Sequence, residues 1–308
     1  MIKVNQFQER SGKMAAQESD RHSSSGRHFG PERQPRHGVS QLLTVCLMVT
    51  LLCCLAAVGS KKTVLDQSFT TTQMVTTKNV AAVHKGLAAS LNAFVTEGDS
   101  QFDFTGDLLT RQQVKDDLNA VLANVYTGSQ PLTSKKIVDQ VVANFVTEAT
   151  QKGVPLQSEQ WLSYKSNFVA QVQISLNNQM NSSGLQQARQ WLKVGQKFMP
   201  AFLTVNLILS AALAVGLLVQ TRSLFRFSHY CGIAAFCAGL LGWLAVQLLK
   251  LSGVVENIAV ASRMYQTIVT SYGQAVLKVF DQTAATMIYA GLGLLALALV
   301  GRILRQRK

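Results

Sequence analysis

Hydrophobic residues along this chain gather into four long runs, at 42–59, 201–218, 230–249 and 287–304. A polar stretch separates the first run from the second. Each run holds roughly 18–20 residues, and at about 1.5 Å of helical rise per residue each nearly matches a hydrocarbon layer of about 30 Å. No Asp, Glu, Lys or Arg lies in the central part of any run, and Arg302 falls in the last turn of the fourth. Backbone groups in lipid must bond within their own segment, so each run is predicted to be a transmembrane helix. With their flanks the spans are 40–59, 201–219, 230–250 and 286–304.

The polar stretch, 60–200, carries apolar residues at helical spacing. Val80, Leu87, Leu91 and Phe94 mark a first helix, read as a continuation of span one that ends near Gly98. Thr110 with Gln113 is a capping-box signature, followed by Val114, Leu118 and Val125 and closed at Gly128. Ser134 opens a helix with Ile137, Val138, Val141 and Phe145, closed near Gly153. Trp161, Phe168, Val172 and Leu176 stripe a fourth, broken at Asn181-Ser182-Ser183-Gly184. Leu185, Trp191 and Phe198 mark a fifth that leads into span two past Pro200. Short connections predict antiparallel packing, with Trp161 and Trp191 as core anchors. Between spans three and four, 251–285 repeats the pattern through Val254, Ile258, Tyr265, Ile268, Tyr272, Val276 and Val279. So long a stripe needs a surface to bury against, and the polar-stretch bundle is the expected one. The fold class is therefore an all-α integral membrane protein. It has four transmembrane helices, with an exported helical-bundle domain between spans one and two joined by the helical segment between spans three and four.

Charge sets the expected orientation. Arg27, Arg33 and Arg36 precede span one, Arg222 and Arg226 lie in the link 220–229, and Arg302, Arg305, Arg307 and Lys308 close the chain. Four spans put these clusters on one side, which the bias of basic residues makes the cytoplasm. Residues 1–39, rich in Ser, Gly, Arg and His, are expected to form a disordered basic tail, and 305–308 a second basic tail. Ala57-Val58-Gly59 is a small-x-small pattern that a signal peptidase could accept. The basic leader is long for a cleaved signal, so span one is read as a retained signal anchor. The formal net charge is +13, but 60–200 is nearly balanced, so the excess belongs to topology and to contact with membrane lipid. No nucleic-acid partner is expected, because no basic stripe with stacking aromatics occurs on one soluble face. All five cysteines fall in the spans, which leaves the exported domain without disulfides. A disulfide-free exported domain rich in Gln, Asn, Thr and Val suits a bacterial envelope protein.

Candidate chemistry is sparse. Gly291-Leu292-Gly293-Leu294-Leu295-Ala296 matches a dinucleotide fingerprint, but it lies within a span with no strand before it. Gly291 and Gly293 are instead expected to allow close helix packing. The same is expected of span three, where Cys231, Ala235 and Gly239 are four apart, as are Ala238 and Gly242. The intramembrane polar residues of interest are Asn206, whose amide needs a partner in hydrocarbon, and Gln247 near the outer end of span three. Asp99, Asp103 and Asp107 do not fit a calcium-loop spacing, and neither a His/Cys zinc set nor a hydrolase signature occurs. No cofactor, metal or catalytic residue is predicted. A domain held between two spans is a receptor-like topology, yet the short link and tail leave little inside for it to act upon. The expected role is a non-enzymatic adaptor, accessory or scaffold protein of the envelope that binds a protein partner, or a further copy of itself, through its exported helices. The alternative is a subunit of a transport or channel assembly, with Asn206 and Gln247 facing a pathway.

Overall fold

The computed structural model describes residues 37–97, 108–128, 134–261 and 265–306. Among them every regular element is a helix: α1 His37–Lys62, α2 Gln67–Met74, α3 Thr77–Glu97, α4 Arg111–Thr127, α5 Lys135–Gln151, α6 Glu159–Met180, α7 Ser183–Thr221, α8 Leu224–Leu251, α9 Val254–Ala261 and α10 Gln266–Gln306. Four of these, α1, α7, α8 and α10, contain stretches long and apolar enough to cross a membrane. The aspartates at 99, 103 and 107 lie outside the described residues, as does most of the tail 1–39.

Local chemistry sets many of the helix ends. Thr110 and Gln113 form the expected reciprocal cap of α4: the Thr110 hydroxyl accepts from the Gln113 amide, and the Gln113 side chain accepts from the Thr110 amide at 2.8 Å. Gly128 ends α4 at φ 61°, in the left-handed region where a side chain is strained. Ser158 caps α6 through the Trp161 amide. Ser134 precedes α5 without capping it, and its hydroxyl instead donates to Asn177 Oδ1 at 2.6 Å, tying the start of α5 to α6.

Helices α2–α6 pack around one core. Phe145 is its centre, fully buried, with ring centroids 5.1 Å from Trp161 and 4.2 Å from Phe168. Val80, Leu91, Val114, Val141 and Val172 fill the space around them. Tyr164 reaches across to donate to Val95 O at 2.9 Å, so its hydroxyl is satisfied inside the core.

Two expectations about continuity change. Span one does not run on into the helix of Val80 and Leu91. The chain breaks after Lys62, where the Leu65 amide bonds back to Ser60 O, and α2 starts with Asp66 as its N-cap. The segment 251–285 is not one helix either. Gly253, at φ 62°, turns the chain into short α9, and α10 then runs from the bundle through span four. Within α10, Ile268 is buried in the bundle core, whereas Ile258 of α9 stays exposed. At 39 and 41 residues, α7 and α10 are each roughly 60 Å long, twice a hydrocarbon layer. Each carries the chain from the polar bundle into the apolar layer without a joint.

Candidate interaction surface and intramembrane groups

The apolar layer is organised around α8. Gly232 and Gly239 of α8 and Gly291 of α10 are the contact points between these helices: a Cβ on Gly239 would lie 2.8 Å from the Ile288 amide nitrogen, and one on Gly291 2.5 Å from the Phe236 nitrogen. Gly242 faces both Leu55 of α1 and Ala284 of α10. Cys231 and Ala234, one step around the helix, join Leu47 of α1 and Leu217 of α7 in a separate cluster. Ala235 and Ala238 are buried as well. The small residues of span three therefore serve contacts with three helices, α1, α7 and α10. Gly293 does not take part: it is exposed, and a Cβ there would meet nothing within 4 Å. It sits half a turn from Gly291 and so points away from α8.

The intramembrane polar groups find partners close by. Asn206, nearly buried, donates from Nδ2 to Phe202 O of its own helix at 2.9 Å, so its amide is held locally rather than across helices. The interhelical bond comes instead from Ser210, whose hydroxyl donates to Thr50 Oγ1 of α1 at 3.0 Å. Gln247 Nε2 donates to Asp281 Oδ1 at 3.2 Å, and Lys250 Nζ meets Asp281 Oδ2 at 3.3 Å. Asp281 thus clamps the bundle-side end of α8 to α10. Sequence reasoning passed over Asp281, although its place one turn before the fourth apolar run was a visible signal. Asn206 and Gln247 lie in different clusters, on different helices.

Two polar networks fasten α10 to the bundle. Tyr126 has a single hydroxyl hydrogen, which goes to Val64 O at 2.6 Å. Thr70 therefore donates to Tyr126 at 2.6 Å, and Tyr272 of α10 donates to Thr70 at 3.1 Å. Burial pushes the Tyr126 phenol up to about 12, with the Thr70 bond opposing the shift. Asn79, fully buried, holds Nδ2 3.1 Å from each of Gln73 O, Met74 O and Ser271 Oγ, its two hydrogens shared among the three acceptors. Further out, the Tyr265 hydroxyl donates to Gln179 Oε1 at 3.0 Å.

Asp117 is buried on α4 with Lys136 at 3.8 Å; burial raises its carboxyl, Lys136 lowers it and Asp116 raises it. Asp116 accepts from Gln112 one turn earlier. His84 donates from Nε2 to Leu109 O at 2.7 Å. No group of three His, Cys, Asp or Glu able to hold a metal occurs among the described residues.

An exposed apolar stripe runs along α7. Trp191, expected in the core, is 75% exposed. Val194, Phe198, Phe202 and Val205 continue from it at steps of three and four residues, and all are exposed. This stripe covers about 21 Å of helix and passes from the polar layer into span two without interruption. At its edge Gly195 packs on Leu65, where a Cβ would lie 2.9 Å from Leu65 Cδ2. Beside it a cleft of about 440 Å³ is lined by Tyr126, Gly128, Asn181, Gln186, Arg189 and Lys193. A helical stripe through Leu185, Trp191 (or Leu192) and Phe198 reports an apolar face, not which face the bundle covers. In comparisons with known proteins, no family model, no curated protein and no solved structure matches the chain.

Proposed function

We propose that this chain is a non-enzymatic multi-pass adaptor of the cell envelope, whose exported helices bind a partner protein along α7. The observation that carries the reading is the exposed stripe Trp191–Val194–Phe198, continuous with Phe202 and Val205 on the same face of span two. Large aromatics on one helix face above the bilayer are the residue types that anchor protein interfaces. Continuity with the lipid-facing surface favours a partner that has its own membrane span and a helix rising above it. The basic residues Arg222, Arg226 and Arg302 support an orientation with both termini in the cytoplasm and the bundle outside.

The test places a photocrosslinking amino acid at 191, 194 or 198 in the full chain, in native membranes, with position 192 as a control. One adduct of constant mass from the stripe, absent from position 192, is the expected result. Trp191→Asp should remove that adduct while thermal unfolding stays unchanged. Loss of a central aromatic anchor costs about 2 kcal/mol or more, roughly 30-fold in affinity. Equal crosslinking from stripe and control, or an adduct that survives Trp191→Asp, would sink the assignment.

A further inference from the structure

Where α1 passes α10 the two helices touch at one point and part beside it. Gly59 makes the touch: a Cβ there would fall 2.5 Å from Phe280 Cε1. Next to this contact a fissure of about 600 Å³ opens between the helices. Cys54, Leu55 and Val58 line it on α1, and Val279, Met287 and Ala290 on α10. Gln282, Thr283 and Thr286 add polar groups on the α10 side. Thr283 and Thr286 donate their hydroxyls to Val279 O and Gln282 O within their own helix, each at 2.8 Å. The fissure therefore presents a mostly apolar wall with no unmet hydroxyl donor.

Lys62 closes the bundle-side end. It is exposed and makes no ion pair among the described residues, whereas Lys250 on the far side of α10 is paired with Asp281. Counting back from Lys62, Cys54 lies two helical turns deeper, at roughly 12 Å, which is most of one leaflet of a 30 Å hydrocarbon layer. We propose that this fissure is a phospholipid site. One acyl chain lies between α1 and α10, and the lipid phosphate rests on Lys62. Three features select this occupant together: a mostly apolar wall at hydrocarbon depth, a length near one leaflet, and the exposed Lys62 ammonium lining the fissure at headgroup height. A protein helix is too wide for a fissure that closes at Gly59 and Phe280.

The full chain, reconstituted in vesicles of equal phosphatidylcholine and phosphatidylglycerol, is irradiated with a phosphatidylglycerol carrying a diazirine in mid-chain. Labelled peptides are then mapped. Label should concentrate several-fold on the peptides around 54–58 and 286–290 over the lipid-facing 205–209 of α7. Ala290→Trp, which fills the fissure, should bring its label down to the α7 level and leave α7 unchanged. Lys62→Glu, on the exposed rim, should lower fissure label several-fold, and Lys62→Arg should restore it. Even labelling of all lipid-facing helices, or label indifferent to both Ala290→Trp and Lys62→Glu, would overturn the proposal. Because Lys62 is exposed, its variants keep the test decisive should Ala290→Trp fail to fold.

Discussion

Single polar side chains hold this molecule together where its two layers meet. Asn79 is fully buried and its amide satisfies two carbonyls at the α2–α3 turn and a serine of α10. Asn79→Ala leaves those acceptors unmet, and a loss of about 2–3 kcal/mol in unfolding free energy is expected, read as a lower midpoint of chemical denaturation. Tyr126 acts at the same place through the chain of hydroxyls from Tyr272 to Val64 O. Its phenol is raised from 10 to about 12, so the folded state favours the protonated form. That contribution is complete below pH 10 and is lost as pH rises through 12. The melting temperature should therefore fall between pH 10 and 12, and less steeply in Tyr126→Phe. Equal slopes would show that Tyr126 does not titrate with unfolding.

Helix pairs are governed by what one side of each helix lacks. The α8–α10 contact depends on Gly232, Gly239 and Gly291, where an added Cβ would press on backbone that cannot yield. Gly301 makes a further close contact with Phe225 at the opposite end. Gly239→Leu or Gly291→Ile should part the helices and cost about 1–3 kcal/mol of stability in detergent. Gly293→Leu, on open surface, should change stability by less than about 0.5 kcal/mol. A large effect at Gly293 would mean that its face is covered in the membrane, by a second copy for instance. Periodicity alone made Gly291 and Gly293 look equivalent, because spacing within a run says that a face is smooth but not which neighbour meets it.

The whole molecule is a polar helical bundle and an apolar layer sewn together by α7 and α10. Ile268 is the pivot: it lies in the bundle core, yet it belongs to the helix that becomes span four. A charge at that position, as in Ile268→Asp, should release the bundle-side part of α10 while the α8–α10 contact persists. Hydrogen exchange would then show residues 266–280 losing protection and 284–295 keeping it. Protection that falls in both segments together would mean that the two layers unfold as one unit.

The sequence by itself determined the spans, the helical character of the polar stretch, the cap at Thr110 and Gln113, and the stop at Gly128. These depend on hydropathy and on hydrogen bonds within a few residues, which local order specifies. Only the tertiary structure decided that Trp191 faces outward, that Asn206 bonds its own helix, that Asp281 clamps span four to span three, and that Tyr272 reaches Tyr126 through Thr70. Each of these joins or separates residues far apart in the chain. Such pairings follow from how helices rotate about their axes when they pack, and a one-dimensional pattern of apolar positions leaves that rotation free.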